Sequence, residues 1–163
     1  MEDIKKNKNL TRAYNSSIQY LAARIRSKKE IQDNLYKKKF NKDVVDEIIH
    51  ILEDENLIND KIFASEFVLS REKIRPKSKF ALKYELRKKG VSDFIIEDSI
   101  QGIDEYKSAL AAIESKIQIW SKLDNDKFKS KMMNFLKNRG FNWEVFHETY
   151  LKTIKDIQNM EDK

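Results

Sequence analysis

The chain has 163 residues, 40% hydrophobic and 37% charged, so its length and composition fit one domain with a buried core. The absence of cysteine excludes disulfide bonds and thiolate metal sites, and no apolar stretch approaches the length of a membrane-spanning helix. A formal net charge of +6 favours an acidic partner.

The N-terminal segment MEDIKKNKNL lacks the apolar core of a secretion signal, so we expect a cytoplasmic protein. Apolar residues at helical spacing then predict a first helix, and Ser27 followed by Glu30 predicts a capping box at the start of a second. The apolar side of the first helix is marked by Tyr14, Ile18, Leu21 and Ile25, and that of the second by Ile31 and Leu35.

A ten-residue pattern that begins at Phe40 returns at Val91 and Phe141, after 51 and 50 residues. A period of this size indicates one supersecondary unit repeated along the chain. In each copy the apolar residue precedes a good N-cap for a third helix and is expected to staple onto an apolar residue five positions later. The N-caps are Asn41, Ser92 and Asn142, and the stapled pairs are Phe40 with Val45, Val91 with Ile96, and Phe141 with Phe146.

The second and third copies repeat the first two helices as well. Asn59 or Asp60 is a suitable cap for the first helix of copy two, and Pro76 breaks the chain into a connector before the second. The apolar residues are Ile62, Phe63, Phe67, Leu69, Leu82 and Leu86 in copy two, and Tyr106, Leu110, Ile113, Ile117, Met132 and Leu136 in copy three.

No strand pattern is present, so the sequence predicts an all-α fold of three tandem three-helix repeats, forming an elongated, curved array. We place the repeats at 10–56, 57–104 and 105–157 within a single domain of 1–163. Gly90 and Gly140 lie where the second helix of a copy ends in a left-handed residue. Lys39 takes this place in copy one, so that turn is either strained or built differently.

Charge alternates along the repeats, because each copy has a basic middle and an acidic last third. Residues 24–39 carry a net charge of +5, and residues 71–89 hold nine basic residues against two acids. Arg24 and Arg75 occupy equivalent positions, and Lys79, Lys83 and Arg87 share one helical stripe. Arginine is suited to this surface because its planar guanidinium binds carboxylates or phosphates through two contacts.

Four segments in the same order resemble the motifs of the RecX family, and the likeness extends from about Arg12 to Tyr150. They are YLAARIRSKKEI at 20–31, LINDKIFASEFVLSR at 57–71, YELRKKGV at 84–91 and NRGF at 138–141. The chain departs from the family pattern at Lys39, where the family usually has glycine. It also departs at Pro76 and Ser78, in a link that is often glycine-rich.

The resemblance implies a regulator of RecA recombinase in DNA repair, DNA recombination and the SOS response. The basic, hydrophilic composition does not require a dimer, so we expect a monomer, and the lack of a catalytic constellation predicts that it is not an enzyme. Family members are helical proteins that lodge in the groove of the RecA–DNA filament, bridge its subunits, and inhibit its ATPase, strand-exchange and co-protease activities. The expected partners are therefore the RecA nucleoprotein filament and the phosphates of single- or double-stranded DNA. Candidate contact residues are Arg24, Arg26, Lys28, Arg71, Arg75, Lys77, Lys79, Lys83 and Arg87.

The basic surface also fits other interpretations. The basic stripe is also typical of a solvated helix face, and Arg71 has a structural alternative as the partner of an acid on an adjacent helix. The same surface fits direct DNA binding without RecA, or a helical scaffold for another protein. We predict no catalytic, cofactor or metal site, because His50 and His147 lie at non-equivalent positions and no nucleophile or phosphate-binding loop accompanies them.

Overall fold

A computed structural model describes residues 7–161 as nine α-helices with no strand among them. The first six residues, part of the segment in which we found no secretion signal, lie outside this range. The all-α prediction is confirmed. The helices are α1 (Lys8–Ala22), α2 (Lys28–Lys37), α3 (Lys42–Asp54), α4 (Asp60–Ile74), α5 (Lys79–Lys88), α6 (Asp93–Ile100), α7 (Glu105–Trp120), α8 (Asn125–Lys137) and α9 (Trp143–Glu161).

The described chain divides into two compact units. The first comprises residues 7–66 and 86–99, and the second comprises residues 67–85 and 100–161. In the first unit α1, α2 and α3 pack against one another around a buried cluster that includes Ile31, Leu35 and Ile48. In the second unit α7, α8 and α9 do the same around Ile113, Met132 and Leu136.

Local signals explain where the helices begin. The Ser27 hydroxyl accepts from the Glu30 N–H while the Glu30 carboxylate accepts from the Ser27 N–H, which completes the predicted capping box. Asn41 caps α3, and Asn142 accepts from the Val145 N–H at the start of α9. Asn59, and not Asp60, caps α4, since its side chain accepts from two backbone N–H groups of the first turn.

The turn after the second helix is built identically in all three copies. The N–H of Phe40, Val91 and Phe141 donates to the carbonyl of the residue five positions earlier, which is the Schellman pattern. The preceding residue is left-handed each time, with φ of 66° at Lys39, 78° at Gly90 and 85° at Gly140. Copy one therefore uses the left-handed turn despite its lysine.

Neighbouring atoms explain why two of these residues are glycine. A Cβ on Gly90 would lie 2.5 Å from Lys29 Cβ, and a Cβ on Gly140 would lie 2.5 Å from Ser78 Oγ and 2.8 Å from Ala81 Cβ. Each glycine turn therefore packs against the start of the second helix of the preceding copy. Lys39 is exposed, so its turn carries only the backbone cost of a left-handed residue.

We expect Lys39→Gly to raise the melting temperature by about 2–4 °C, because glycine removes about 1 kcal/mol of left-handed strain. Thermal unfolding followed by circular dichroism measures this. Lys38→Gly is the matched control, since Lys38 has φ of −83° and gains nothing from glycine. A melting temperature that stays the same or falls in Lys39→Gly would show that the turn stores no strain.

One part of the predicted apolar pattern is wrong. Ile25 follows the end of α1 and is exposed, and Ile62 and Leu69 of α4 are exposed as well. The buried side of α4 is formed by Phe63, which was predicted, and by neighbours that include Ala64. Since adjacent apolar residues lie about 100° apart around a helix, a dense apolar run does not define which face is buried.

Candidate binding surface for an acidic partner

In the first unit, the Glu30 carboxylate binds one of the predicted contact residues, Arg24, together with Lys89. Arg24 donates to it through both terminal nitrogens, at 3.2 and 2.8 Å. Lys89 reaches the same carboxylate at 2.6 Å, and its backbone carbonyl accepts from the Ser27 hydroxyl at 2.7 Å. Arg24 therefore acts as part of an internal clamp between the α1–α2 link and the end of α5.

Burial alone would raise the pKa of the Glu30 carboxyl. Hydrogen bonds from Arg24, Lys89 and the Ser27 N–H outweigh burial and lower this pKa to about 2, from a usual value of 4.5. A carboxyl group whose pKa is lower in the folded state than in the unfolded state stabilises the fold at any pH above its unfolded-state pKa. This stability is lost as the pH falls through the folded-state pKa. The clamp therefore makes its full contribution to folding stability above pH 4.5, and this contribution decreases as the pH falls towards 2.

We expect Glu30→Gln to lower the free energy of unfolding at pH 7 by about 2 kcal/mol, after allowance for solvent screening. The difference in the free energy of unfolding between the variant and the parent should decrease steadily as the pH falls below 4.5. Urea unfolding across pH measures both. Asp33→Asn, which removes an exposed pair with Lys29, is the control and should cost less than about 0.5 kcal/mol. A deficit that persists at pH 2 would contradict the clamp.

The two other candidates from copy one are also held by their own fold. Arg26 lies over the Tyr20 ring, 3.9 Å from its centroid, and donates to the Tyr20 carbonyl. Lys28 pairs with Glu53 at 2.5 Å, and its backbone N–H donates to Asp60 at 2.8 Å. All three candidates of copy one thus have partners within their own unit, and for Arg24 and Lys28 the partner is an acid.

In the second unit, Glu85 binds two of the candidates. Arg71 Nε lies 2.9 Å from this carboxylate, Lys77 pairs with it as well, and the Arg71 guanidinium also covers the Phe67 ring. Burial would raise the pKa of Glu85, but the hydrogen bonds from Lys77 and Arg71 outweigh it and lower the pKa. Glu85 lies on α5, the helix that follows α4. Arg71 therefore has an acidic partner on an adjacent helix, as the structural interpretation of this residue predicts.

Arg75 differs from the other candidate arginines. It is exposed at the end of α4 and forms no ion pair with any residue that the structure describes. Arg139 lies nearby, where it donates to the Pro76 carbonyl and covers the Phe135 ring. Burial, followed by the positive charge of Arg75, lowers the pKa of the Arg139 guanidinium. Two guanidinium groups without an acid between them attract an anionic partner.

The sequence-based candidate set did not include Arg139. Its signal was present, because Arg139 precedes Gly140 just as Lys89 precedes Gly90. Arg75 and Arg139 are 64 positions apart in the chain, and neither repeat spacing nor charge counting predicts that the charge of one acts on the other.

The remaining candidates belong to α5. The Lys79 ammonium lies 3.4 Å from the Gln101 carbonyl, while its backbone N–H donates to Glu105 at 2.8 Å. Arg87 pairs with Asp93 at 2.6 Å, and Lys83 is half-buried. Asp60, at the start of copy two, thus caps α2 of copy one. Glu105, at the start of copy three, caps α5 of copy two in the same way.

The described part of the chain contains no group of three His, Cys, Asp or Glu side chains that could hold a metal ion. His50 pairs with Asp54, and His147 stacks on Trp143. None of the helices within residues 7–161 has the length and apolar character needed to cross a membrane.

Comparison with known proteins supports the repeat structure. Three family models match in chain order: RecX, first three-helix domain, at 13–52; RecX, second three-helix domain, at 59–100; and RecX, third three-helix domain, at 103–148. These matches confirm three successive three-helix repeats.

Individual relatives agree with the family models. The chain is 36% identical over 138 residues to the regulatory protein RecX of Chlorobium phaeobacteroides, covering 85% of this chain and 91% of the relative. It is 33% identical to that of Prosthecochloris aestuarii, with the same coverage. The crystal structure of RecX from Lactobacillus salivarius superposes with a TM-score of 0.75 at 26% identity, covering 89% of this chain and 96% of that one. The chain belongs to the RecX family of regulatory proteins.

Proposed function

We propose that this chain is a regulator of RecA recombinase that binds the RecA–DNA filament and inhibits its ATPase, strand-exchange and co-protease activities. It would thereby modulate DNA repair, recombination and the SOS response from the cytoplasm, as a monomer and without catalysis of its own. The observation that carries the proposal is the ordered match of all three RecX domains.

The proposed mechanism is occupancy of the filament groove. A filament repeats the same subunit along its axis, and a chain of three similar helical units offers similar contacts to successive subunits. A ligand that bridges subunits opposes the movements linked to ATP hydrolysis and keeps the incoming duplex or repressor out. Electrostatic attraction between a net charge of +6 and a DNA-filled groove would accelerate its entry.

Within the candidate set, Arg75 is the residue best placed to contact the filament. It is exposed, and no acid in the described chain neutralises it. Arg24, Lys28, Arg71, Lys77 and Arg87 each form an ion pair within the fold, so recruiting them would require breaking that pair. We therefore propose the surface of Arg75 and Arg139 as the main charged contact.

Direct DNA binding without RecA is the second candidate function, and the basic second helix of copy two favours it. Titrating the chain into RecA on single-stranded DNA, while measuring ATP hydrolysis and binding to the same DNA alone, separates the two. Loss of ATPase activity while bare DNA remains unbound would support the filament as target. Loss only after the DNA is coated would favour direct binding. Unchanged ATPase activity at saturating protein would contradict the proposed function.

A further inference from the structure

Two large aromatic side chains stand on the solvent side of α5. Phe80 is 74% exposed and Tyr84 is 55% exposed, and both belong to the second unit. Their spacing of four residues places them on one face of the helix, about 6 Å apart along its axis. More than half of each side chain stays in contact with water, and apolar surface that remains exposed adds no burial energy to the fold.

The repeats show that the fold does not need these rings. The equivalent positions in copy one hold Lys29 and Asp33, which form an exposed ion pair at 2.7 Å. Those in copy three hold Ser130 and Asn134, which are also exposed. The same helix therefore forms with charged, polar or aromatic residues here, and only copy two has the aromatic pair.

The charge around the pair identifies the class of partner. Lys79 and Lys83 lie on the same helix within one turn of the rings. Residues 79–85 contain one acid, Glu85, whose carboxylate is bound by Arg71 and Lys77. Lysine is depleted in the centres of protein–protein interfaces, whereas cations beside exposed rings are typical of surfaces that bind single-stranded nucleic acid.

We propose that Phe80 and Tyr84 form a stacking surface for the bases of single-stranded DNA. The rings take up unpaired bases while the neighbouring lysines contact the phosphates. A duplex conceals the faces of its bases, so this contact selects single strands. It adds a DNA contact to the proposed function and does not require RecA.

The test uses the full chain and a fluorescent thymidylate oligomer of about 15 nucleotides, with binding measured by anisotropy over a range of salt concentrations. The test variant is Phe80→Ser with Tyr84→Asn, which installs the residues of copy three and leaves the charge unchanged. Phe94→Ser is the matched control, because Phe94 is 83% exposed on α6 and belongs to the other unit. Circular dichroism checks folding, and the single variant Phe80→Ser replaces the double variant if that one unfolds.

We expect the double variant to bind the oligomer at least about tenfold more weakly, with an unchanged slope of log affinity against log salt concentration. Binding to a duplex of equal length, and to an abasic strand, should not change. Tyr84→Phe should bind like the parent, because stacking needs the ring and not the hydroxyl.

Undiminished oligomer binding by the double variant, an equal loss on the abasic strand, or a parent that does not bind the oligomer would each overturn the inference. So would a variant that binds the oligomer normally and loses only its effect on RecA, since the rings would then contact protein. RecA is absent from the binding measurement, so its result is separate from that of the ATPase test.

Discussion

Gly140→Ala is expected to lower the free energy of unfolding by about 2–4 kcal/mol. A left-handed alanine costs about 1–2 kcal/mol, and its methyl group adds overpacking because it would lie 2.5 Å from Ser78 Oγ and 2.8 Å from Ala81 Cβ. The backbone cannot shift without strain on the hydrogen bond from the Ser78 N–H to the Arg139 carbonyl. Urea unfolding gives the free energy and, through its slope, reports whether the unfolding remains two-state.

Gly102→Ala is the matched control for this substitution. Gly102 has no positive φ, and a Cβ there would meet no atom within 4 Å, so we expect a change within about 0.5 kcal/mol. Equal effects of the two substitutions would contradict the packing of the third turn against the start of α5.

Arg75→Glu is expected to raise the concentration needed for half-inhibition of RecA by about tenfold or more, while stability stays nearly unchanged. Reversing an exposed charge breaks no ion pair in the described fold, yet it replaces attraction with repulsion at an acidic partner. The measurement is the RecA ATPase titration, with thermal unfolding of the variant beside it.

Lys122→Glu is the control for that reversal, because Lys122 is another exposed cation of the second unit and undergoes the same change in charge. An equal loss of RecA inhibition in both variants would show that the effect depends on net charge alone. Arg24→Glu is a poor probe, because it would set a second acid against Glu30 and disturb the clamp.

The repeat architecture could be predicted from sequence because its signals are local. Caps, glycine turns and staples depend on residues within about five positions of each other, and Asn41, Gly90 and Gly140 all have the geometry that their spacing indicates. The dense apolar run from Ile62 to Leu69 could not be oriented this way, since which of its faces is buried depends on the helices packed against it.

The candidate surface was only partly predictable. Charge counting located the basic segments, but it does not distinguish a cation available to a partner from one bound by an acid in the same fold. Arg24 and Arg75 are equivalent in sequence, yet Glu30 binds the first and no acid binds the second in the described chain. The residue equivalent to Glu30 in copy two is Ala81, and this single difference leaves Arg75 without that partner.

We propose that the RecA filament, and not DNA alone, is the target of this chain. The most direct measurement is equilibrium binding of the labelled chain to RecA assembled on single-stranded DNA with a non-hydrolysable ATP analogue. The same DNA without RecA, and RecA with DNA but without nucleotide, are measured at the same salt concentration. Binding to the ATP-state filament at least about tenfold tighter than to either comparison is the predicted result. Equal affinity for the filament and the bare DNA would contradict it.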